Sequence, residues 1–322
     1  MKVAIVGLGA IGGYIGARLA ASGHEVSALA RGETLTRVRE RGLIVEADGT
    51  RSTASINVSD DANTLGPQDL VIVALKAPGL AAVAPKMAPL LGDDTMVLTA
   101  MNGVPWWFLP AAMPNEPPLE SVDPGGRLLG LLPLDRVLGG VVHFSAIVTE
   151  PGAVRLNSGQ HIILGEARGG ESERARRVAD TLSGAGFEAE LSANVRRAVW
   201  FKLWGNMTLN PLSVLTRAAT GQLLEDPLVR AFVARTMTEG AAIGARVGCA
   251  IDQSPEDRMA VTRHLGSFKT SMLIDAEAGR PIELDAIVTA VREIGARVGV
   301  ETPYIDALLG ITRLNARVLG LY

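Results

Sequence analysis

The chain has 322 residues, 48% hydrophobic and 20% charged, with a formal net charge of −3. That length suggests two globular domains with sizeable cores, and the near-balanced charge leaves no electrostatic footprint for nucleic acid. No uncharged apolar run reaches the length of a membrane span, and one cysteine, Cys249, excludes an internal disulfide framework and suits a reducing, cytoplasmic compartment.

Lys2 to Val6 is a short apolar run rich in β-branched residues, as expected of a buried parallel strand. Gly7-Leu8-Gly9-Ala10-Ile11-Gly12 follows, with G-x-G-x-x-G spacing. A helical stretch from about Ala10 to Ser22 leads to Gly23, suited to its C-cap, and Glu25 to Ala30 reads as the next strand. Strand, glycine turn, helix and strand are the context of a dinucleotide fingerprint. Gly7 permits the tight turn, Gly9 lets a pyrophosphate approach the backbone, and Gly12 allows close helix–strand packing. The helix start then offers N–H groups and a positive dipole end to phosphates. Lys2, an apolar stretch and Ala20-Ala21-Ser22 imitate a secretory signal peptide, but five glycines and Arg18 interrupt the apolar region. The second strand ends without an Asp or Glu for a ribose 2′-OH; Arg31 stands there instead and suits a 2′-phosphate. Arg31 therefore favours NADP(H) over NAD; the other reading leaves Arg31 solvated and turns Glu33 toward the ribose.

A polar helix is expected over 33–41, then a strand pair around 43–45 and 52–58, with buried strands at 70–75 and 95–99. Strands over 139–147 and 161–164 flank a turn at Pro151-Gly152, before a helix over 172–184 and a last strand over 186–191. This alternation predicts a parallel, doubly wound sheet with its ligand at the carboxyl ends of the strands. From Ala193 onward the segments 193–210, 225–247, 255–275, 281–298 and 303–318 carry helical periodicity. The expected fold is an α/β Rossmann-like dinucleotide-binding domain over 1–192, followed by an all-α substrate and dimerisation domain over 193–322. Residues 105–133 form a Pro- and Gly-rich stretch holding Trp106, Trp107 and Phe108, read as a lid or pocket wall, or else as a subunit contact.

Lys202, Asn206 and Asn210 stand at i, i+4 and i+8, on one face of a helix over about 12 Å. Their neighbours Trp200, Phe201, Trp204 and Leu209 are strongly apolar, and polar groups set among them need partners, which a small polar anion would supply. Carbonyl reduction needs a hydride, a proton for the developing alkoxide and an anchor for the substrate. Lys202 can give the proton, and partial burial would lower its pKa toward neutrality. Lys76 and Asn102 follow buried strands at the edge where a cofactor would lie, and Ser271 and Glu283 flank a turn at Gly279-Arg280-Pro281. The four histidines are scattered and Cys249 has no ligand neighbour, so no metal is expected.

Together these residues resemble the ketopantoate reductase family. The resemblance rests on the glycine turn, Arg31, Leu75-Lys76-Ala77, Asn102-Gly103, the K-x-x-x-N-x-x-x-N-P helix from Lys202 to Pro211, Ser271-Met272-Leu273 with Asp275, and Glu283. It implies NADPH-dependent reduction of a branched 2-oxo acid, 2-dehydropantoate, to (R)-pantoate in pantothenate synthesis. Lys202 would be the general acid, with Glu283 positioning it and the substrate. Asn206, Asn210, Ser271 and Asn102 would bind substrate, and Lys76 and Asn102 would line the cofactor junction. The resemblance leaves room for a homodimer through the helical domain. The chain departs from the family in the length of 104–133, in Pro78-Gly79 where glutamine is common, and in Thr220 where some members have asparagine. A reductase of a bulkier 2-oxo acid lined by Trp106 and Trp107, a β-hydroxyacid dehydrogenase and a non-catalytic NADP sensor are the alternatives.

Overall fold

The computed structural model describes all 322 residues. In chain order the elements are β1 (Lys2–Val6), α1 (Ala10–Ala21), β2 (Glu25–Leu29), α2 (Gly32–Arg41), β3 (Leu43–Ala47), β4 (Thr50–Ala54), β5 (Asn57–Ser59), β6 (Gln68–Val73), α3 (Ala77–Val83) and β7 (Leu91–Thr99). There follow α4 (Phe108–Ala112), α5 (Arg127–Leu131), β8 (Val137–Glu150), β9 (Ala153–Glu166), α6 (Glu173–Gly184) and β10 (Glu188–Leu191). Helices make up the rest: α7 (Val195–Thr216), α8 (Thr220–Glu225), α9 (Pro227–Arg246), α10 (Pro255–His264), α11 (Ser271–Glu277), a π turn (Asp285–Thr289), α12 (Ala290–Arg297) and α13 (Pro303–Val318). No helix is long and apolar enough to cross a membrane.

The strands form one ten-stranded sheet in the order β4-β3-β9-β8-β7-β6-β1-β2-β5, with β10 beside β9. The strands from β5 through β1 to β8 run parallel, as the alternating sequence predicts. Antiparallel pairs extend this parallel sheet: β8 pairs with β9, and β3 with β4. The cause is local. Only Pro151 and Gly152 separate β8 from β9, and only Asp48 and Gly49 separate β3 from β4; loops that short cannot carry a crossover. β1 and β6 are buried from Val3 to Val6 and from Leu70 to Val73, which explains their unbroken apolar sequences.

The chain divides into two compact units, one of Met1–Met101 with Arg127–Ala198, the other of Asn102–Gly126 with Val199–Tyr322. This differs from the linear division at 192, because residues 102–126 belong with the helices. Their placement also corrects the reading of Trp106 and Trp107 as a lid, pocket wall or subunit contact. The two side chains are 1% and 0% exposed, and Phe108 stacks on Trp200 of α7 at 5.6 Å. They are core residues of the helical unit. Polar bonds hold the rest of the stretch: Glu293 of α12 accepts from the Ser121 hydroxyl at 2.6 Å and from the amides of Glu120 and Ser121, and Arg297 donates to the carbonyls of Pro117 and Pro118.

α7 is the spine of the helical unit. Trp200 and Trp204 are buried, and their indole N–H groups donate to the carbonyls of Gly240 and Met237 on α9, at 3.1 and 2.6 Å. Burying an indole with its N–H satisfied combines large apolar area with a fixed orientation. α7 runs through Pro211 to Thr216, beyond the expected end at 210. A proline inside a helix removes one ladder bond, and burial of Leu209, Ser213 and Val214 on both sides of it holds the turn. The expected helix over 255–275 is two helices. Gly266, at φ 83°, ends the first, and Thr270 caps the second by accepting from the Leu273 amide.

Candidate active site

The first unit carries the glycine turn. Gly7 lies at φ 103°, and a Cβ on Gly12 would run into the Gly7 carbonyl, so neither position accepts a side chain. A Cβ on Gly9 would meet nothing within 4 Å, which leaves that backbone open to a ligand. α1 begins there with no capping side chain and no acidic residue in its first turn, so its amides and dipole suit phosphate. Leu8 is buried, while Ala10 and Ile11 are half-buried on the opening turn. Arg31 is exposed at the N-cap of α2, following β2. Lys76 is exposed at the N-cap of α3, following β6. The residues present therefore fit a phosphorylated dinucleotide.

The second unit carries the lysine. Lys202 lies near the start of α7, and its Nζ donates to Asn102 Oδ1 at 2.9 Å. Burial pulls its pKa from the ordinary 10.5 to about 8, against the opposing pull of the Glu283 carboxylate charge. An amine so placed gives up its proton far more readily than a surface lysine. Glu283 is buried just ahead of the π turn, and its backbone carbonyl accepts from the Ile287 amide.

Asn206 and Asn210 lie one and two turns beyond Lys202 on α7, half-buried and buried respectively. Neither side-chain amide is used in a hydrogen bond within the chain. Ser271 opens α11 and is exposed. Its neighbour Thr270 shares a 2.6 Å hydroxyl bond with Ser213, which ties that helix start to α7. The structure thus brings Lys202, Asn102 and Glu283 together and aligns Asn206 and Asn210 with them. It brings Ser271 into no bond with that group.

Sequence reasoning missed one contributor, Ala286, and marked another, Thr220, only as a departure from the family pattern. Ala286, in the π turn, accepts from the Val104 amide at 2.7 Å and packs against Gly103. Thr220 exchanges two hydrogen bonds with Phe268, holding the loop that leads to Ser271. Asn-Gly at 102–103 hinted at a tight turn; nothing in the sequence marks its partner.

A dinucleotide-binding α/β unit joined to a helical unit with a desolvated lysine defines the class of two-unit nicotinamide-dependent oxidoreductases. The family model for ketopantoate reductase PanE/ApbA matches residues 3–169, and the model for its C-terminal part matches 194–316. A 2-dehydropantoate 2-reductase of Mesorhizobium japonicum is 41% identical over all of both chains, and one of Halobacterium salinarum is 31% identical over 98% of this chain and 99% of its own. The crystal structure of an inferred ketopantoate reductase from Ralstonia solanacearum, 51% identical, superposes with a TM-score of 0.94 over 99% of each chain. The chain belongs to the ketopantoate reductase family.

Proposed function

We propose that this chain catalyses the NADPH-dependent reduction of 2-dehydropantoate to (R)-pantoate, a step of pantothenate synthesis, with Lys202 as the general acid. The carrying observation is the Lys202 ammonium, desolvated, bonded to Asn102 and drawn on by Glu283. The bound nucleotide would supply a hydride to the 2-carbonyl carbon. Lys202 holds the proton that the developing alkoxide takes from Nζ, leaving a neutral amine that burial favours. Asn102 aims that proton by accepting a second N–H. Asn206 and Asn210, with unused amides on the same helix, anchor the carboxylate and hydroxyl of the substrate, and Ser271 joins them from α11. Glu283 keeps Lys202 charged before transfer and helps to orient the substrate.

The glycine turn from Gly7 to Gly12, Arg31, Lys76 and Asn102 are assigned to NADP(H). The reading for a bulkier substrate relied on Trp106 and Trp107, whose burial removes its support. A second copy of the chain is the proposed partner. α13 supports this by exposing Ile311, Leu314 and Val318 along one stripe. The cytoplasm is the proposed compartment, consistent with a lone cysteine that forms no disulfide. The test follows NADPH absorbance with 2-dehydropantoate. Oxidation by the wild type that is lost in Lys202→Ala, with NADPH binding kept, supports the assignment; NADPH binding without turnover of this substrate overturns it.

A further inference from the structure

The two groups that act on the Lys202 ammonium come from distant parts of the chain. Asn102 is on a loop after β7, and Glu283 precedes the π turn. They are joined at one point. In an α-helical register the Ala290 amide would donate to the carbonyl four residues back, that of Ala286. Here it donates to Asp285, five residues back. The Ala286 carbonyl instead receives the Val104 amide at 2.7 Å.

Gly103 lies between Asn102 and that bond, at φ 79°. A Cβ there would stand 2.6 Å from the Ala286 oxygen and 2.7 Å from its Cβ. Only glycine both adopts this backbone conformation and allows the approach. The turn is held from outside as well. The Asp285 carboxylate accepts from the Thr289 hydroxyl at 2.8 Å and from the Tyr322 hydroxyl at 2.7 Å. The Ile282 amide donates to the Leu321 carbonyl at 3.0 Å.

We propose that the π turn is a positioning device for the proton donor, with Gly103 as its contact residue, tying Asn102 and Glu283 into one rigid piece around Lys202. The inference rests on the reading of Lys202 as general acid, and Gly103, Ala286 and Tyr322 are positioning residues that act through Asn102 and Glu283. π turns recur at functional sites because the altered register re-aims backbone groups. Here the re-aimed group is a carbonyl.

A double-mutant cycle in the full chain tests this, using Gly103→Ala, Asn102→Ala and the pair. Gly103→Ala is expected to lower kcat roughly 30- to 100-fold, the scale of an ångström misplacement. In the Asn102→Ala background the same change is expected to lower kcat by less than about threefold, because coupled residues are not additive. Equal losses in both backgrounds overturn the proposal.

A second readout needs no turnover. The titration of 13Cε-labelled lysine, with the Lys202 signal assigned through Lys202→Met, is expected to move to lower pH in Gly103→Ala, because the ammonium loses an acceptor that favours its charged form. An unmoved titration overturns the proposal even if the substrate assignment stands. A wild type inactive on 2-dehydropantoate defeats the substrate assignment and leaves this readout intact. Should Gly103→Ala not fold, Tyr322→Phe loosens the same turn from its exposed side. A shift in the same direction then supports the proposal, and no shift overturns it.

Discussion

Glu283→Gln isolates the electrostatic part of the proposed mechanism. Lys202 must carry its proton to donate it, so reductive turnover falls as pH rises through its pKa of about 8. The Glu283 charge raises that pKa against the downward pull of burial. An opposite charge at close range is worth roughly one to three pH units, so its removal is expected to move the alkaline limb of kcat from about 8 to roughly 5–7. With a limb near 6, the protonated fraction at pH 7 drops from roughly nine-tenths to roughly one-tenth, an approximately tenfold loss. Glutamine keeps the size of the side chain, so most of the loss should return near pH 5.5. The assay is a kcat profile from pH 5 to 10 at saturating NADPH and substrate. A uniform loss at every pH, with the limb still near 8, would refute the electrostatic account and leave Glu283 a substrate contact alone. A limb displaced upward would contradict its sign.

Arg31→Ala should weaken NADPH binding by about 1.5–3 kcal/mol, the worth of a charge-assisted contact, and leave NADH binding nearly unchanged, as fluorescence titration of both nucleotides will show. Gly12→Ala forces a Cβ into the Gly7 carbonyl, so titration with NADPH should find binding lost or weakened more than about tenfold, close packing leaving no room to relax. Trp107→Ala removes a fully buried side chain and should lower stability by about 3–5 kcal/mol. A denaturant midpoint unchanged from wild type, with an altered KM instead, would return the segment to the role of a pocket wall.

Much of the dinucleotide half was legible because its signals are local. The spacing of Gly7, Gly9 and Gly12 and the apolar runs of β1 and β6 each need only a few neighbouring residues to be read. The stripe Lys202-Asn206-Asn210 was legible for the same reason, since helical periodicity places all three on one face. Strand direction was legible only at the turns: Pro151-Gly152 and Asp48-Gly49 leave room for antiparallel neighbours alone, which the alternation of strands and helices does not show. Trp106 and Trp107 were misread because a Pro- and Gly-rich composition describes local backbone habit and carries no information about long-range burial. The Gly103–Ala286 contact joins residues far apart in sequence, and a π register leaves no periodic mark in five residues.

The excursion of residues 102–126 into the helical unit bears on how such a protein can be recombined. A chimaera made by a single crossover near residue 192 would take Lys202, Asn206 and Glu283 from one parent, and Asn102, Trp106 and Trp107 from the other. The heritable cassette is therefore two stretches of gene. A functional exchange of the helical half needs further crossovers close to residues 101 and 127, where the chain changes compact unit.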